Sequence, residues 1–477
     1  MVFKFHKLYR TISMILIYSM FFSMPINAKN YAKEAQERKS LPIESNLLEN
    51  WPLGPAIGAQ AAILMDAYTG SILYAKNIHE KLYPASITKL LTSYIALQEC
   101  DLDEKVIFSD KAVNSIKWWE DANMGVNAGT YLTMEEVLYG ILVGSANEAA
   151  YAVAEHISGE VESFSLLMNK TAKELGCTNS NFITPNGIHN ENHYTTAYDI
   201  ALIAKAFFSN NTLIRMSSTT SFTVPVNESQ KREDIILNAK SLLLPGKTYA
   251  YESLIGTKTG YTEYARQTLV SCAEKNGMKL ICVILKEEAP AQYTDTIELF
   301  NYGFENFKSL SLADIKNEYS VDNHFFTSDI DLLGSSKTIL SFNKDDYIIL
   351  PNTISYSDLT SKVLYDKKII NSIASIHYYY KNNFLGRINV ELAKNEPLLY
   401  DFSNQELNTL KIIESDSENT IFINISHILL GLFFIIIFIT FLFSLCSLLK
   451  NNIIFRKHKK KFKKRDNIRN RRHIPRL

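Results

Sequence analysis

Three short strings carry side chains able to act on one another chemically. In Ser86-Ile-Thr-Lys89 a hydroxyl stands three residues before an amine. A seryl hydroxyl is a weak nucleophile until a neighbouring base takes its proton, and a lysine can be that base when burial and nearby cations lower its pKa. In Ser145-Ala-Asn147 a hydroxyl able to relay a proton adjoins an amide able to hold a substrate amide. In Lys258-Thr259-Gly260 a cation and a hydroxyl suit a carboxylate, and the glycine lets a ligand approach a strand edge closely. Each string also has a plainer reading. Ser145 and Asn147 could cap the helix that follows, and Lys258 could be a solvated strand-end charge. Ser447-Leu-Leu-Lys450 and Lys247-Thr-Tyr249 show how easily near-matches arise.

The surrounding residues predict elements that would hold these groups. Pro84 suits a helix start, and Leu90, Leu91, Tyr94 and Ile95 recur at helical spacing. Ser86 then falls in the first turn with Lys89 on the same face, and the helix N-terminus offers the Ser86 N–H to a developing oxyanion. Thr133-Met-Glu-Glu136 reads as a capping box, followed by an apolar face of Met134, Val137, Leu138, Ile141 and Leu142. Gly144 breaks that pattern, which suits a turn presenting Ser145 and Asn147. Residues 268–273 and 280–285 read as strands joined at Asn276-Gly277, the strongest hairpin signal in the chain. A tight turn there pairs Cys272 with Ile281, so Cys272 and Cys282 face opposite sides and do not form a disulfide.

The chain has 477 residues, 46% of them hydrophobic, which is enough for two or three domains with a sizeable core. Its balance of 50 basic and 50 acidic residues is an average over unlike segments. Residues 1–28 hold three basic residues and no acid, and residues 450–477 hold 13 basic residues and one acid. The body, 29–449, carries 34 basic against 49 acidic residues, a net of −15. Such a body is a poor nucleic-acid binder, because phosphate contacts need Lys and Arg. Five cysteines make disulfides an improbable main staple.

The ends predict export and anchoring. A basic start and an apolar run from Thr11 to Met24 read as a signal peptide over 1–28, with cleavage after Ala28; an uncleaved anchor or a buried core helix is the alternative. Ile428 to Leu449 has no charged residue, and as a helix would span about 33 Å, enough for a membrane. The basic tail, 450–477, then lies in the cytoplasm and the body outside. Between the ends we expect a linker at 29–50, a mixed domain at 51–305, a β-rich domain at 315–412 and an acidic stalk at 413–427. In the β-rich segment Ile388, Val390 and Leu392 alternate with polar residues, and Asn382-Asn383 marks a turn before them.

The three strings, in this order and in these contexts, are a motif set known from class A β-lactamases and penicillin-binding proteins. The chain resembles the low-molecular-mass penicillin-binding proteins that are serine-type D-alanyl-D-alanine carboxypeptidases, the peptidase S11 family. The likeness covers about residues 50–305. It extends to Leu138-Tyr-Gly-Ile-Leu-Val-Gly-Ser-Ala-Asn-Glu-Ala-Ala150, Thr184-Pro-Asn-Gly187, His193-Tyr-Thr-Thr-Ala-Tyr-Asp199 and Gly303-Phe304. The resemblance implies an α/β (α+β) β-lactamase/transpeptidase-like domain, an antiparallel sheet flanked by helices. A small β-rich domain and a C-terminal transmembrane helix follow. Its implied substrate is the peptidoglycan stem peptide ending in D-Ala-D-Ala. Ser86 is the implied nucleophile, Lys89 its base and Ser145 the proton relay. Asn147, Lys258, Thr259, Gly260 and Tyr261 bind substrate, with the N–H groups of Ser86 and Tyr261 as oxyanion donors. β-Lactams should acylate Ser86, and the scheme needs no metal or cofactor. His189 and His193 are read as structural, because it leaves no role for a histidine.

Two other functions use the same fold. A β-lactamase needs a dedicated base for deacylation, and Glu191 is the only acid of the 184–198 loop that could serve. A non-catalytic penicillin-binding sensor would report through the basic tail. Endopeptidase action on cross-links is a variant of the carboxypeptidase reading.

Overall fold

The computed structural model describes residues 31–117, 121–227, 232–311, 340–343, 345–365 and 372–392. Among the described residues no helix is long and apolar enough to cross a membrane. The expected signal peptide, stalk, span and tail lie outside them.

The centre is a five-stranded antiparallel sheet built from the two ends of the mixed segment 51–305. From the first end come β1 (Ala61–Asp66) and β2 (Ile72–Lys76). Two small hairpin-like pairs follow in the chain, β3 (Lys105–Ile107) with β4 (Tyr131–Thr133) and β5 (Ser221–Val224) with β6 (Ile235–Asn238). From the second end come β7 (Leu254–Thr262), β8 (Arg266–Lys275) and β9 (Met278–Glu287), and the order across the sheet is β2-β1-β9-β8-β7. Both faces are covered, so the strands are almost continuously apolar rather than alternating. Alternate residues serve two cores. Ile281, Val283 and Leu285 join Ile63 and Met65 beneath one set of helices. Leu280, Cys282 and Ile284 join Ala62 and Leu64 on the opposite face, where the helix Ala291–Asn306 adds Leu299 and Phe300. Each such fully buried aliphatic side chain is worth about 1.5–3 kcal/mol.

The β8–β9 hairpin turns at Asn276 and Gly277, both at positive φ, and pairs Cys272 with Ile281. Cys272 and Cys282 accordingly belong to different cores, and both are free thiols.

The segment expected as a linker is built into the body. Tyr31–Arg38 is helical and Glu44–Leu47 forms a 3-10 turn. Arg38 is buried, and its Nε donates to Gly58 O at 2.7 Å. Buried Lys76 donates to both Arg38 O and Ile57 O at 2.7 Å. The polar composition that reads as a solvated linker is here the polar side of a docked strap.

The β-rich segment begins at β10 (Phe307–Ser311), continuous with the Ala291–Asn306 helix, and continues with β11 (Leu340–Phe342). β10 pairs with β12 (Tyr347–Pro351), while β11, β13 (Thr360–Leu364), β14 (Ser372–Tyr380) and β15 (Asn383–Leu392) form a four-stranded antiparallel sheet in the order β11-β15-β14-β13. The β14–β15 loop is Lys381-Asn382, one residue earlier than expected, because Tyr380 pairs with Asn383.

Candidate active site

Four separate pieces of chain converge. The first is the 3-10 turn Ala85–Thr88, which runs directly into the helix Lys89–Glu99. Ser86 therefore sits in a tighter turn just ahead of the helix rather than inside its first turn. Ala85 before it has φ +52, a left-handed conformation that costs a non-glycine residue about 1–2 kcal/mol. The turn is pinned by Thr268 Oγ1 of β8, which donates to Pro84 O at 2.9 Å.

The second piece follows the helix Met134–Tyr139, whose capping box between Thr133 and Glu136 is present. The chain widens into a π turn at Gly140–Gly144 and reverses at Ser145, φ +60. Ala146 N closes the wide turn onto Gly140 O at 2.9 Å, and Asn147 opens the helix Asn147–Ser158. Neither Ser145 nor Asn147 caps that helix: its N-cap is Ala146, with no side-chain cap bond. Their side chains are free to face the lysines.

The third piece is β7, which brings Lys258, Thr259, Gly260 and Tyr261 alongside the Ser86 turn. A Cβ on Gly260 would lie 2.9 Å from Ser86 N, so only glycine permits this approach. The fourth is the Thr184–Gly187 loop. Gly187 has φ +80, and a Cβ there would collide with the Ala85 carbonyl oxygen.

Lys89 is buried, and its Nζ has three oxygen neighbours: Ser86 Oγ at 2.9 Å, Asn147 Oδ1 at 2.6 Å and Asn186 O at 3.0 Å. Burial first, and the Lys258 charge second, hold the amine well below the usual lysine range, against upward pulls from Glu148 and Asp121. A neutral amine has two N–H groups and one lone pair. Asn147 Oδ1 and Asn186 O can only accept and take both hydrogens. The lone pair is left for the Ser86 hydroxyl proton.

Lys258 Nζ donates to Ser145 Oγ and to Thr259 O, both at 2.9 Å. Burial brings its pKa down to about 7, with Lys240 adding to the effect. Above these lysines lies a cleft of about 360 Å³ lined by Ser86, Ser145, Asn147, Thr259, Gly260 and Tyr261, with Lys240, Asp121 and Gln267 among its other walls. All eight residues singled out from the sequence thus meet around one cavity, six in its lining and two lysines beneath.

The remaining candidates sort cleanly. His193 is buried, and its Nδ1 accepts from Thr184 N at 3.2 Å and Ile183 N at 3.3 Å. Nε2 then carries the proton and donates to Thr88 Oγ1 at 3.1 Å. Burial lowers its pKa to about 4, so it is a neutral brace between the Thr184–Gly187 loop and the Ser86 turn. His189 stacks on Tyr264 at 3.9 Å between ring centroids. Glu191 is exposed and borders a different cleft, with Lys81, Tyr194 and Lys286.

Sequence reasoning assigned no role to four participants. Asn186 contributes a main-chain carbonyl, which leaves no signature in residue type. Thr88 lies inside the first motif, but its contact with His193 is set by a residue 105 positions away. Lys240 and Glu148 act through charge from positions with no fixed spacing to the motifs. Glu148 Oε1 accepts from Met124 N at 2.5 Å, and burial raises its pKa.

Comparison with known proteins agrees with this geometry. A family model described as D-alanyl-D-alanine carboxypeptidase, peptidase S11, matches residues 49–289. The D-alanyl-D-alanine carboxypeptidase DacF of Bacillus subtilis is 34% identical over 261 residues, 53% of this chain and 63% of that protein. DacA of Haemophilus influenzae is 31% identical, over 56% of this chain and 67% of that protein. The chain thus matches about two thirds of the length of these relatives. A Streptomyces DD-transpeptidase crystal structure superposes with TM-score 0.50 at 28% identity, covering 53% of this chain and all of that one, 100%. Penicillin binding protein 6B from Escherichia coli, 23% identical, shares the fold with TM-score 0.53 over 72% of this chain and 98% of its own. On its motifs, its fold and its matched segment, this chain belongs to the peptidase S11 family of D-alanyl-D-alanine carboxypeptidases.

Proposed function

We propose that the chain is a serine D-alanyl-D-alanine carboxypeptidase that removes the terminal D-Ala from peptidoglycan stem pentapeptides and is acylated by β-lactams. The observation that carries this reading is Lys89 Nζ, 2.9 Å from Ser86 Oγ with both amine hydrogens engaged elsewhere. Ser86 gives its proton to the Lys89 lone pair as Oγ attacks the carbonyl carbon between the two D-Ala residues. The N–H groups of Ser86 and Tyr261 receive the oxyanion. Ser145, oriented by Lys258, passes a proton to the leaving D-Ala nitrogen. Asn147 holds the peptide amide, and Lys258 with Thr259 binds the terminal carboxylate. Water then hydrolyses the acyl-enzyme and Ser86 is regenerated.

Glu191, facing another cleft, is badly sited to be the deacylating base of a β-lactamase, and intact hydrogen bonding at Lys89 weighs against an inert sensor. The same reading takes 51–305 as the catalytic domain and 315–412 as an accessory β domain. The uncharged stretch Ile428–Leu449 and the basic tail after it support a single-pass anchor with the catalytic domain outside the cell.

The test is D-Ala release from diacetyl-Lys-D-Ala-D-Ala by the full chain, wild type against Ser86→Ala. Release by wild type that vanishes in the variant is expected. A folded wild type that binds fluorescent penicillin covalently yet releases nothing would favour the sensor, and rapid penicillin turnover the β-lactamase.

A further inference from the structure

The helices that begin at the catalytic cleft converge again at their other ends. Lys89–Glu99 starts at the nucleophile's base and ends at its C-cap, Cys100. Asn147–Ser158 starts at Asn147 and carries His156 in its last turn. Between them, Glu104 leads into β3. Among the described residues, Cys100, Glu104 and His156 are the one group of three His, Cys, Asp or Glu side chains whose ligand atoms all lie within 4.8 Å of one another.

We infer that Cys100 Sγ, His156 Nε2 and a Glu104 carboxylate oxygen form a Zn²⁺ site, with water as the fourth ligand, that ties together the far ends of the two helices presenting Lys89 and Asn147. A thiolate, an imidazole and a carboxylate are a zinc donor set, whereas Ca²⁺ and Mg²⁺ take oxygen ligands. The spacing fits. Tetrahedral zinc with bonds of about 2.0–2.3 Å separates its ligand atoms by roughly 3.3–3.8 Å. His156 Nε2 and Glu104 Oε2 are hydrogen-bonded at 3.0 Å, so on binding Nε2 gives up its proton, the ring keeping its Nδ1–H, and the two atoms move apart by about half an ångström to admit the ion.

Two further observations point to a cation here. Glu104 is pre-oriented: its Oε1 accepts from Asp101 N at 2.7 Å, which leaves Oε2 turned toward His156, as an outer partner orients a metal-binding carboxylate. The place is also electronegative. Two helix C-termini meet at it, and Glu99 and Asp101 flank Cys100. A bound dication reverses that field: the thiol proton leaves to solvent, and the thiolate becomes a ligand.

The site is separate from the catalytic cleft, so its test does not depend on carboxypeptidase activity. The full chain in detergent, stripped by a chelator, is titrated with Co²⁺ and then with Zn²⁺. A thiolate-to-Co²⁺ charge-transfer band is expected that saturates at one ion per chain and is displaced by Zn²⁺. Cys177, Cys272 and Cys282 are buried in cores, so loss of the band in Cys100→Ser assigns it. His156→Ala and Glu104→Gln should each weaken binding by at least tenfold. Zn²⁺ should raise the thermal midpoint of wild type and not that of Cys100→Ser. No band in a folded wild type, or a band unchanged in Cys100→Ser, overturns the assignment.

Discussion

Lys89 and Lys258 are both buried beneath one cleft, each with its nitrogen 2.9 Å from a different serine oxygen, Ser86 Oγ and Ser145 Oγ. Their pairing is asymmetric. The Lys258 charge helps to keep Lys89 a free base, while Lys258 is lowered by burial and by Lys240. The proposed chemistry needs Lys89 neutral and Lys258 charged, so the two define opposite limbs of a pH profile.

The charge on Lys258 that would hold the substrate carboxylate fades as pH rises through about 7 in the free protein. Lys240→Ala removes a cation that depresses it, so the alkaline limb of kcat/KM for penicillin acylation should move to higher pH. The measurement is the position of the limb, not its height. A limb that stays in place overturns the role of Lys240.

Asn147→Asp puts a carboxylate where an amide oxygen now lies 2.6 Å from Lys89 Nζ. An opposite charge favours the ammonium, so the Lys89 pKa rises. Acylation at neutral pH should fall by about tenfold or more and the acid limb of its pH profile should move to higher pH, since each unit of pKa is a factor of ten in free base below it. In Asn147→Ala activity should fall with the acid limb in place, because the loss is one of orientation.

Gly187→Ala adds a methyl against the Ala85 carbonyl at a residue with φ +80. The cost should be about 2 kcal/mol or more, seen as a lower urea midpoint. Because the collision is with the residue before Ser86, penicillin acylation should fall further than stability alone explains. Gly246→Ala, also at positive φ but with nothing within 4 Å, should lose stability alone.

His193 gives a stability prediction with a definite sign. Its folded pKa is lowered to about 4 from an unfolded value near 6.5, so the unfolded chain binds the extra proton. The stabilisation is full above pH 6.5 and is lost as pH falls toward 4, amounting to about 3 kcal/mol at the lower end. Urea midpoints at pH 7 and pH 4.5 should differ less in His193→Gln than in wild type. An unchanged difference would count against the buried neutral ring.

Local signals were the legible part of this fold. The turn at Asn276-Gly277, the capping box at Thr133 and Glu136, and the spacing from Ser86 to Lys89 are all decided by residues within a few positions of one another. What stayed hidden depends on distant partners. Arg38 is drawn into the body by Gly58 and by the ion pairs with Glu287 and Glu288, some 250 residues away, and no local pattern announces that. The exchange of a helical first turn for a 3-10 turn at Ser86 follows from the left-handed Ala85, which is imposed by packing against β8 and Gly187 rather than by its own residue type. The carbonyl of Asn186 is a position, not a side chain.

Ser86 owes its environment to four stretches of chain separated by tens to more than a hundred residues: 85–89, 145–147, 186–187 and 258–261. A chain in which any one of them is out of place lacks part of that environment. A covalent penicillin label on Ser86 would therefore count native molecules one by one, and the fraction labelled during refolding would time the last assembly step directly, without any spectroscopic probe.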